Sequence, residues 1–317
     1  MKRTIRYILS AALTVVFLVL AFRGVDADAL WDAARHARYA WFVLFLVTLL
    51  ISHLLRALRW RYLLDPVKPS IGLRNLFSGV MIGYLLNNVL PRAGEIARPY
   101  AIAHLESIPA SAAFGTVVVE RIMDIITFLL IVVILPLLYT GPLLETFPWL
   151  VPTGIAASVA IAAAVTGFLT LMVRRDWTDR LLRVAVRLVP ARLERRFTNG
   201  VHAFLNGFLF VRRPGSFLAI GVLSVLIWFL YVVMMYLAFF AFGLDATLNF
   251  GAAVVVLAIS SIGTAVPTPG GTGSYHILVS QSLTRLFGVE PALALGYATI
   301  THAMNFLGSS VVGAWFF

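Results

Sequence analysis

The chain has 317 residues, of which 61% are hydrophobic and only 12% are charged. Soluble domains carry about 25% charged residues, so this composition excludes an ordinary soluble domain. The net charge of +11 does not indicate nucleic-acid binding, because the basic residues are confined to a few segments between apolar runs, as membrane topology requires. The absence of cysteine excludes disulfides and cysteine-ligated metal sites.

Apolar runs of about 20 residues, the length that crosses a bilayer, recur along the chain. They predict an all-α polytopic membrane protein with about six spanning helices, placed at residues 7–22, 39–55, 112–139, 151–173, 217–242 and 292–315. The start of the chain also matches a signal peptide, because a basic segment precedes the first apolar run and Ala27-Asp28-Ala29 follows it as a small-residue cleavage pattern. We interpret this run as a retained first span.

Charge predicts the side of the membrane on which each connection lies. Residues 23–38 balance arginines against aspartates and are expected outside. A cytoplasmic loop is expected after the second span, where the basic residues are Arg56, Arg59, Arg61, Lys68 and Arg74. Residues 174–213 contain ten arginines and three acids, interleaved with apolar residues at helical spacing. This segment is predicted to be an amphipathic linker on the cytoplasmic leaflet.

Two re-entrant hairpins follow from this topology. If the arginine-rich linker is cytoplasmic, the chain near residues 75–110 enters and leaves the membrane on one side. A cytoplasmic C-terminus requires a second hairpin near residues 251–288, which enters from outside. The chain is then one transmembrane domain in the cell membrane, with both termini in the cytoplasm. Its first half is residues 1–173, its linker 174–213 and its second half 214–317.

The two hairpins share a turn pattern that predicts an inverted pseudo-repeat. Pro91-x-x-Gly94 marks the first turn and Pro267-x-Pro269-Gly270 the second, and each follows an apolar run. Proline breaks a helix and glycine permits a tight turn. Similar units inserted in opposite senses are typical of transporters, whose substrate lies near the membrane midplane where broken helices meet.

The tip of the first hairpin is polar for so apolar a chain, and its polar residues are Asn87, Asn88, Arg92, Glu95 and Arg98. Ionisable residues at membrane depth indicate a functional site, and the arginine fork suits phosphate oxygens. We therefore predict that this tip binds an anionic headgroup. The alternative is that Arg92 and Arg98 pair with Glu95 and steady the hairpin.

The second turn contains Gly270, Gly271 and Gly273, which let backbone approach a ligand closely. Free N–H groups at broken helix ends attract phosphate. These three glycines are therefore also predicted to contact the headgroup.

Three charged residues, Glu120, Arg121 and Asp124, interrupt the apolar helix after the first hairpin. Arg121 can pair with Asp124 at i, i+3, which leaves Glu120 without a partner on its own helix. We expect Glu120 to pair with Arg92 or Arg98, as a structural clasp or as a proton-coupling group. All three are predicted members of the substrate site.

Four further residues have weaker interpretations. His276 and His302 could titrate near neutrality or act as structural hydrogen-bonding groups. Asp26-x-Asp28 is the sole indication of an acid pair for glycosyl transfer. The sequence has no recognisable nucleotide-binding loop, catalytic triad or metal-ligand spacing, so neither catalytic residues nor a cofactor or metal is expected.

Three motifs in this order resemble the flippase-like transmembrane family, which includes the membrane half of lysylphosphatidylglycerol synthase. They are Asn88-x-x-Pro91-Arg92-x-Gly94-Glu95-x-x-Arg98, then Glu120-Arg121-x-x-Asp124, then Pro267-x-Pro269-Gly270-Gly271-x-Gly273. The family often has a glutamate shortly after the glycine-rich turn, whereas this chain has Tyr275 and His276 there. The resemblance does not extend to a soluble synthase domain.

The resemblance implies movement of lipids between leaflets, or support of pathways that use lipid-linked sugars or aminoacyl lipids. We expect a lipid translocase whose partners are membrane lipids with anionic headgroups. The alternatives are a membrane glycosyltransferase with a lipid-linked donor, and a non-transporting scaffold for a glycosyltransferase or another lipid-modifying enzyme.

Overall fold

The structure, a computed structural model, describes residues 2–148, 150–173, 198–201 and 214–317. Every regular element in these ranges is a helix, which confirms the all-α prediction. In chain order the helices are α1 (Lys2–Phe22), α2 (Ala27–Arg35), α3 (Ala40–Leu64), α4 (Leu73–Val89), α5 (Gly94–Glu106), α6 (Ala110–Leu138), α7 (Leu143–Thr146), α8 (Leu150–Val173), α9 (Pro214–Ala241), α10 (Phe250–Ala265), α11 (Ser274–Phe287) and α12 (Pro291–Phe316). The predicted linker at 174–213 lies outside the described residues except for 198–201.

Two of the described helices, Ala40–Leu64 and Gly215–Ala241, are long and apolar enough by themselves to cross a bilayer. They pack along each other more extensively than any other pair of described helices. Apolar helices of this kind are consistent with a membrane protein. The number of spans stays a prediction.

One prediction about α3 is wrong. The sequence places the end of the second span at residue 55 and the following arginines in a loop, but α3 continues to Leu64. In this additional part of α3, buried carboxylates of α6 compensate the charges of Arg56 and Arg59. Residues 23–38, predicted as a loop, also contain α2, which Asp26 caps by accepting a hydrogen bond from the backbone N–H of Asp28 at 2.9 Å.

Both predicted turns join two helices that pack against each other. Helices α4 and α5 form the first hairpin, in which the backbones of Gly83 and Gly94 touch so closely that a Cβ at Gly94 would overlap the Gly83 carbonyl. Helices α10 and α11 form the second hairpin. Its arms are joined where the hydroxyl of Ser274 donates to the carbonyl oxygen of Gly263 at 2.7 Å.

The two hairpins approach from opposite ends of α12, and their tips meet near its middle. Helix α4 runs antiparallel to α12, from Phe77 against Phe316 to Asn88 against Phe306. Helix α11 packs on the other half of α12, where the Tyr275 hydroxyl lies 3.0 Å from Thr301 Oγ1. The opposed arrangement puts the proline-containing turns next to each other in the centre of the bundle.

The buried apolar residues form two clusters. One cluster packs α9, α10, α11 and α12 around Phe239 and Tyr297. The other packs α3, α4, α5 and α6 around Trp60, whose indole N–H donates to Thr116 Oγ1 at 2.9 Å. The second cluster lies directly against the charged residues described next.

Candidate substrate-binding site

Two carboxylates on α6 lie at the centre of a buried group of charges. Glu120 is fully buried and Asp124 is 8% exposed. The two are four residues apart, so they lie on one face of the helix. Four guanidinium groups surround them, and we call these six residues the charge cluster. Its arginines are Arg56, Arg59, Arg98 and Arg121.

Two of these arginines come from the part of α3 that was predicted to be a cytoplasmic loop. Arg56 is 3% exposed and Arg59 is fully buried. One Arg56 nitrogen bonds Glu120 and lies 2.9 Å from Asp124 Oδ2, while Arg59 Nη2 lies 2.7 Å from Asp124 Oδ1. Their i, i+3 spacing matches the i, i+4 spacing of the carboxylates, and this was the signal in the sequence that could have indicated the pairing.

Arg98 and Glu120 make the pair that the sequence allowed. Arg98 Nη2 lies 2.7 Å from Glu120 Oε2, and Nη1 lies 3.2 Å from Oε1. The guanidinium carbon also lies 4.3 Å from the centroid of the Trp60 ring, a cation–π contact. The expectation that Glu120 pairs with an arginine of the first hairpin is confirmed, and that arginine is Arg98. Among the described ion pairs, neither Arg92 nor Arg98 contacts Glu95.

Arg121 is the open end of the charge cluster. Its nitrogens lie 3.2 Å from Glu120 Oε1 and 3.5 Å from Asp124 Oδ2, as the i, i+3 spacing predicted for the latter. Its side chain is 41% exposed, whereas those of Arg56, Arg59 and Arg98 are at most 5% exposed. The cluster can therefore be reached from outside the bundle through Arg121.

The charge cluster holds more positive than negative charge. Four guanidiniums share two carboxylates, so the described cluster has a net excess of two positive charges. The Nε atoms of all four arginines are buried without a hydrogen-bond partner. Uncompensated charge in a low-dielectric interior is costly. An anion bound near the open end would reduce that cost.

Polar groups beside the cluster were not found by sequence reasoning. The Tyr231 hydroxyl accepts from Arg56 and the Ser224 hydroxyl from Arg59, at 2.9 and 2.8 Å. His53, one turn before Arg56, is 1% exposed and stacks on Tyr84 at 4.2 Å, with neither ring nitrogen hydrogen-bonded. Ser224 and Tyr231 come from α9, which is more than 160 positions along the chain from these arginines, so the sequence contained no local signal for them.

The two asparagines of the first hairpin have different structural partners. Asn87 Oδ1 accepts from the backbone N–H of Gly94 at 2.8 Å, which caps the start of α5. The side-chain amide of Asn88 donates to the Phe306 carbonyl at 3.1 Å and to Ser310 Oγ at 2.9 Å. Asn87 thus closes the turn, and Asn88 ties the turn to α12.

The turn between α4 and α5 contains Arg92, one of the two arginines of this hairpin predicted to bind the headgroup. Arg92 is exposed and has a positive φ of 61°, and Glu95 in the first turn of α5 is half-buried. Pro91 immediately precedes Arg92, so α4 ends before it. Arg98 lies one turn beyond Gly94, which is about 6 Å of helix rise. The hairpin tip and the charge cluster are therefore adjacent.

The glycine-rich turn is packed against this chain's own atoms. A Cβ at Gly270 would come 3.0 Å from Phe306 and 3.2 Å from Asn88 Oδ1, and one at Gly271 would come 3.0 Å from Thr264. A Cβ at Gly273 would come 2.6 Å from Phe17 of α1. All three glycines have positive φ, with Pro267 and Pro269 shaping the turn. Their predicted contact with a headgroup stays a prediction.

The two histidines lie together under the glycine-rich turn. The rings of His276 and His302 are 4.9 Å apart, and Thr272 Oγ1 lies 3.2 Å from His302 Nε2. His276 Nδ1 accepts from the backbone N–H of Gly273 at 3.3 Å. These contacts are structural hydrogen bonds at the start of α11. Among the described residues, no group of histidine and acidic side chains is arranged to hold a metal ion.

Comparison with known proteins finds a match over almost the whole chain. The sequence model of the family described as the lysylphosphatidylglycerol synthase TM region matches residues 7–313. A UPF0104 membrane protein of Methanothermobacter thermautotrophicus is 29% identical over 312 residues, covering 94% of this chain and 91% of the relative. A UPF0104 membrane protein of Methanocaldococcus jannaschii is 24% identical, covering 98% and 93%.

One similar protein has a name that describes an activity. Glycosyltransferase AglD of Haloferax volcanii is 26% identical over 331 residues. The match covers 96% of this chain but 52% of that protein, so the chain corresponds to about half of it. No solved structure matches the chain.

Proposed function

The chain belongs to the family of the lysylphosphatidylglycerol synthase TM region, and we propose that it is a lipid translocase. Its substrate is an anionic phospholipid or a polyprenyl-phosphate-linked lipid, which it moves between the leaflets of the cell membrane. The observation that carries this proposal is the buried charge cluster with its excess of arginine. A membrane protein keeps such charges at depth where they serve a function.

The two hairpins are re-entrant in this proposal. Helix α12 has 26 residues, and at 1.5 Å per residue it is about 39 Å long, enough to cross a bilayer. The tips meet near its middle, at Asn88 and Phe306, which supports a meeting point near the membrane midplane. Turns at that depth are tolerated where protein or a wet cavity lines them. Six spans, with both termini cytoplasmic, complete the proposed topology.

The arginines divide into anchoring and substrate-facing groups. Arg56, Arg59 and Arg98 are almost fully enclosed and bonded to carboxylates, so they hold α3, α5 and α6 together. Arg121 is 41% exposed and Arg92 is exposed on the neighbouring turn. These two guanidiniums are accessible to phosphate oxygens, while the acyl or polyprenyl tails stay in the lipid. Two uncompensated positive charges suit a phosphate group.

A leaflet-exchange assay tests the proposal. The purified chain is reconstituted into liposomes that contain fluorescent phosphatidylglycerol, and exchange is followed as the label becomes accessible to an external reductant. Arg121→Gln and Arg92→Gln are each expected to slow exchange about tenfold, because each removes one charge-assisted contact of about 1.5 kcal/mol.

Arg74→Gln is the matched control, because Arg74 is exposed at the start of α4 and carries the same charge change. It is expected to exchange lipid at the wild-type rate. Equal rates in all three variants would contradict the assignment of the site. Wild-type liposomes that exchange no faster than empty ones would contradict the function.

A second candidate is support of glycosyl transfer, which the 26% identity to a protein named glycosyltransferase AglD favours. The acid pair that was predicted for catalysis gives less support, since Asp26 is occupied in capping α2. Sugar transfer from a polyprenyl-phosphate donor that is lost in Asp28→Asn, without lipid exchange, would favour an enzyme. Co-purification of a glycosyltransferase would favour a scaffold.

A further inference from the structure

A pocket of about 190 Å³ lies between the end of α1 and the last turns of α11, away from the charge cluster. Its polar lining residues are Arg23, Ser280, Gln281, Thr284 and Arg285. Among the described residues that line it, two are arginines and none is acidic. We infer that this pocket binds the phosphate-bearing headgroup of an anionic lipid, as a second site separate from the charge cluster.

The charges of the pocket are not neutralised within the described part of the chain. Arg23 and Arg285 are both exposed, and neither has an ion-pair partner among the described residues. The acids beside them in sequence are otherwise engaged. Asp26 caps α2, and Glu290 accepts from the backbone N–H groups of Ala292 and Leu293 at 2.9 and 2.8 Å. The two guanidiniums can therefore both turn to a phosphate.

The rest of the pocket suits a lipid rather than a free anion. Leu20, Val25, Ile277 and Leu295 form an apolar wall beside the arginines. A soluble phosphate would gain nothing from that wall, whereas the glycerol and upper acyl carbons of a lipid would bury apolar surface on it. The polar hydroxyl and amide groups of Thr284 and Gln281 supply hydrogen bonds to the headgroup.

The position of the pocket complements that of the charge cluster. The pocket includes Pro291 and Leu295, at the N-terminal end of α12. The first hairpin, which contributes Arg98 to the cluster, packs on the other half of α12, where Gly313 touches Met81 and Leu85. The pocket thus lies at the N-terminal end of α12, whereas the hairpin that contributes to the charge cluster packs on the other half of that helix, so the two sites are separate.

The experiment measures binding at the pocket itself, so its result is independent of transport. The chain has no cysteine, and Ala21→Cys, at a lining position with no polar group, therefore places a single environment-sensitive fluorophore beside the pocket of the purified full-length protein in detergent. Short-chain phosphatidylglycerol is titrated against it, with short-chain phosphatidylcholine and inorganic phosphate in parallel. We expect a saturable change with phosphatidylglycerol and little change with the other two.

In the same background, Arg23→Gln/Arg285→Gln is expected to weaken phosphatidylglycerol binding by about tenfold or more, because both charged contacts are lost. Arg38→Gln/Arg74→Gln removes the same charge from exposed positions outside the pocket and should bind as the parent does. Gln281→Trp fills the pocket without changing its charge and should also block binding. It provides the test if the arginine variant does not fold. Unchanged binding in the folded pocket variants, or no response to phosphatidylglycerol in the parent, would overturn the inference. An equal response to inorganic phosphate would overturn the assignment to lipid.

Discussion

Arg98 and Glu120 form a two-point ion pair that joins the first hairpin to α6, with nitrogen–oxygen distances of 2.7 and 3.2 Å. Both side chains are buried, at 5% and 0% exposure. The pair lies one turn from the hairpin tip, so it determines the position of that tip relative to α6. Whatever the tip binds, its position depends on this contact.

Removing Glu120 should destabilise the protein more than removing Arg98. Glu120→Gln leaves the buried Arg98 without its carboxylate partner, which costs about 3–5 kcal/mol, whereas Arg98→Met should cost less, because Glu120 keeps its contacts with Arg56 and Arg121. The double variant should lose less than the sum of the single losses, because the two residues interact directly. Unfolding in mixed micelles measures all three, with Arg74→Met as the control for an exposed arginine. Additive losses would show that the pair is not coupled.

Gly94 should not tolerate even one added methyl group. A Cβ there would overlap the Gly83 carbonyl, which is backbone and cannot move aside as a side chain would. We expect Gly94→Ala to destabilise the protein by about 1–3 kcal/mol, the usual cost of overpacking. Gly221→Ala is the matched control, since nothing lies within 4 Å of a Cβ at that helical position. Thermal unfolding compares them, and equal melting temperatures would contradict the close contact of the two arms.

Asn87 and Asn88 should lose different amounts of stability when each is replaced by aspartate. Asn87 accepts from the Gly94 N–H, and a carboxylate accepts equally well at a helix start. Asn88 donates to the Phe306 carbonyl and the Ser310 hydroxyl, and a carboxylate cannot donate to the carbonyl. Asn88→Asp should therefore cost about 1–3 kcal/mol, and Asn87→Asp less than about 1 kcal/mol. Thermal unfolding of both variants in detergent checks this; equal losses would show that the two side chains do not have these distinct roles.

Glu106 should make stability depend on pH at the base of the first hairpin, outside the spanning helices. Hydrogen bonds from Lys68 and Asn75, at 2.8 and 2.6 Å, hold the pKa of Glu106 below its ordinary value. A lowered folded pKa contributes stability that is fully present above the unfolded pKa of about 4.3. That contribution is lost as pH falls through the lower, folded pKa.

The difference in melting temperature between wild type and Glu106→Gln should therefore shrink as pH falls from 6 toward 3. Glu145→Gln, at an exposed position in α7, is the matched control for the loss of one negative charge. A difference for Glu106→Gln that does not change with pH would show that the contact with Lys68 contributes nothing.

The sequence by itself determined the family, the all-helical character and the positions of both turns. These features have local causes: apolar runs favour helices in a membrane, and Pro91, Gly94, Pro267 and Gly270 stop or bend a helix wherever they occur. The family match over residues 7–313 confirms the resemblance seen in the motifs. The helical hairpins were found where the turns predicted them, although their depth in a membrane remains part of the proposal.

Only the tertiary structure decided which charges meet. Arg56 and Arg59 were assigned to a loop, because arginine in an apolar chain usually marks the end of a span. They are instead buried in α3, since Glu120 and Asp124, more than 60 positions away, provide the opposite charge that makes burial possible. The energy of a buried charge depends on its neighbours in space, and the matching spacing of the two arginines and the two carboxylates does not by itself show that these segments meet.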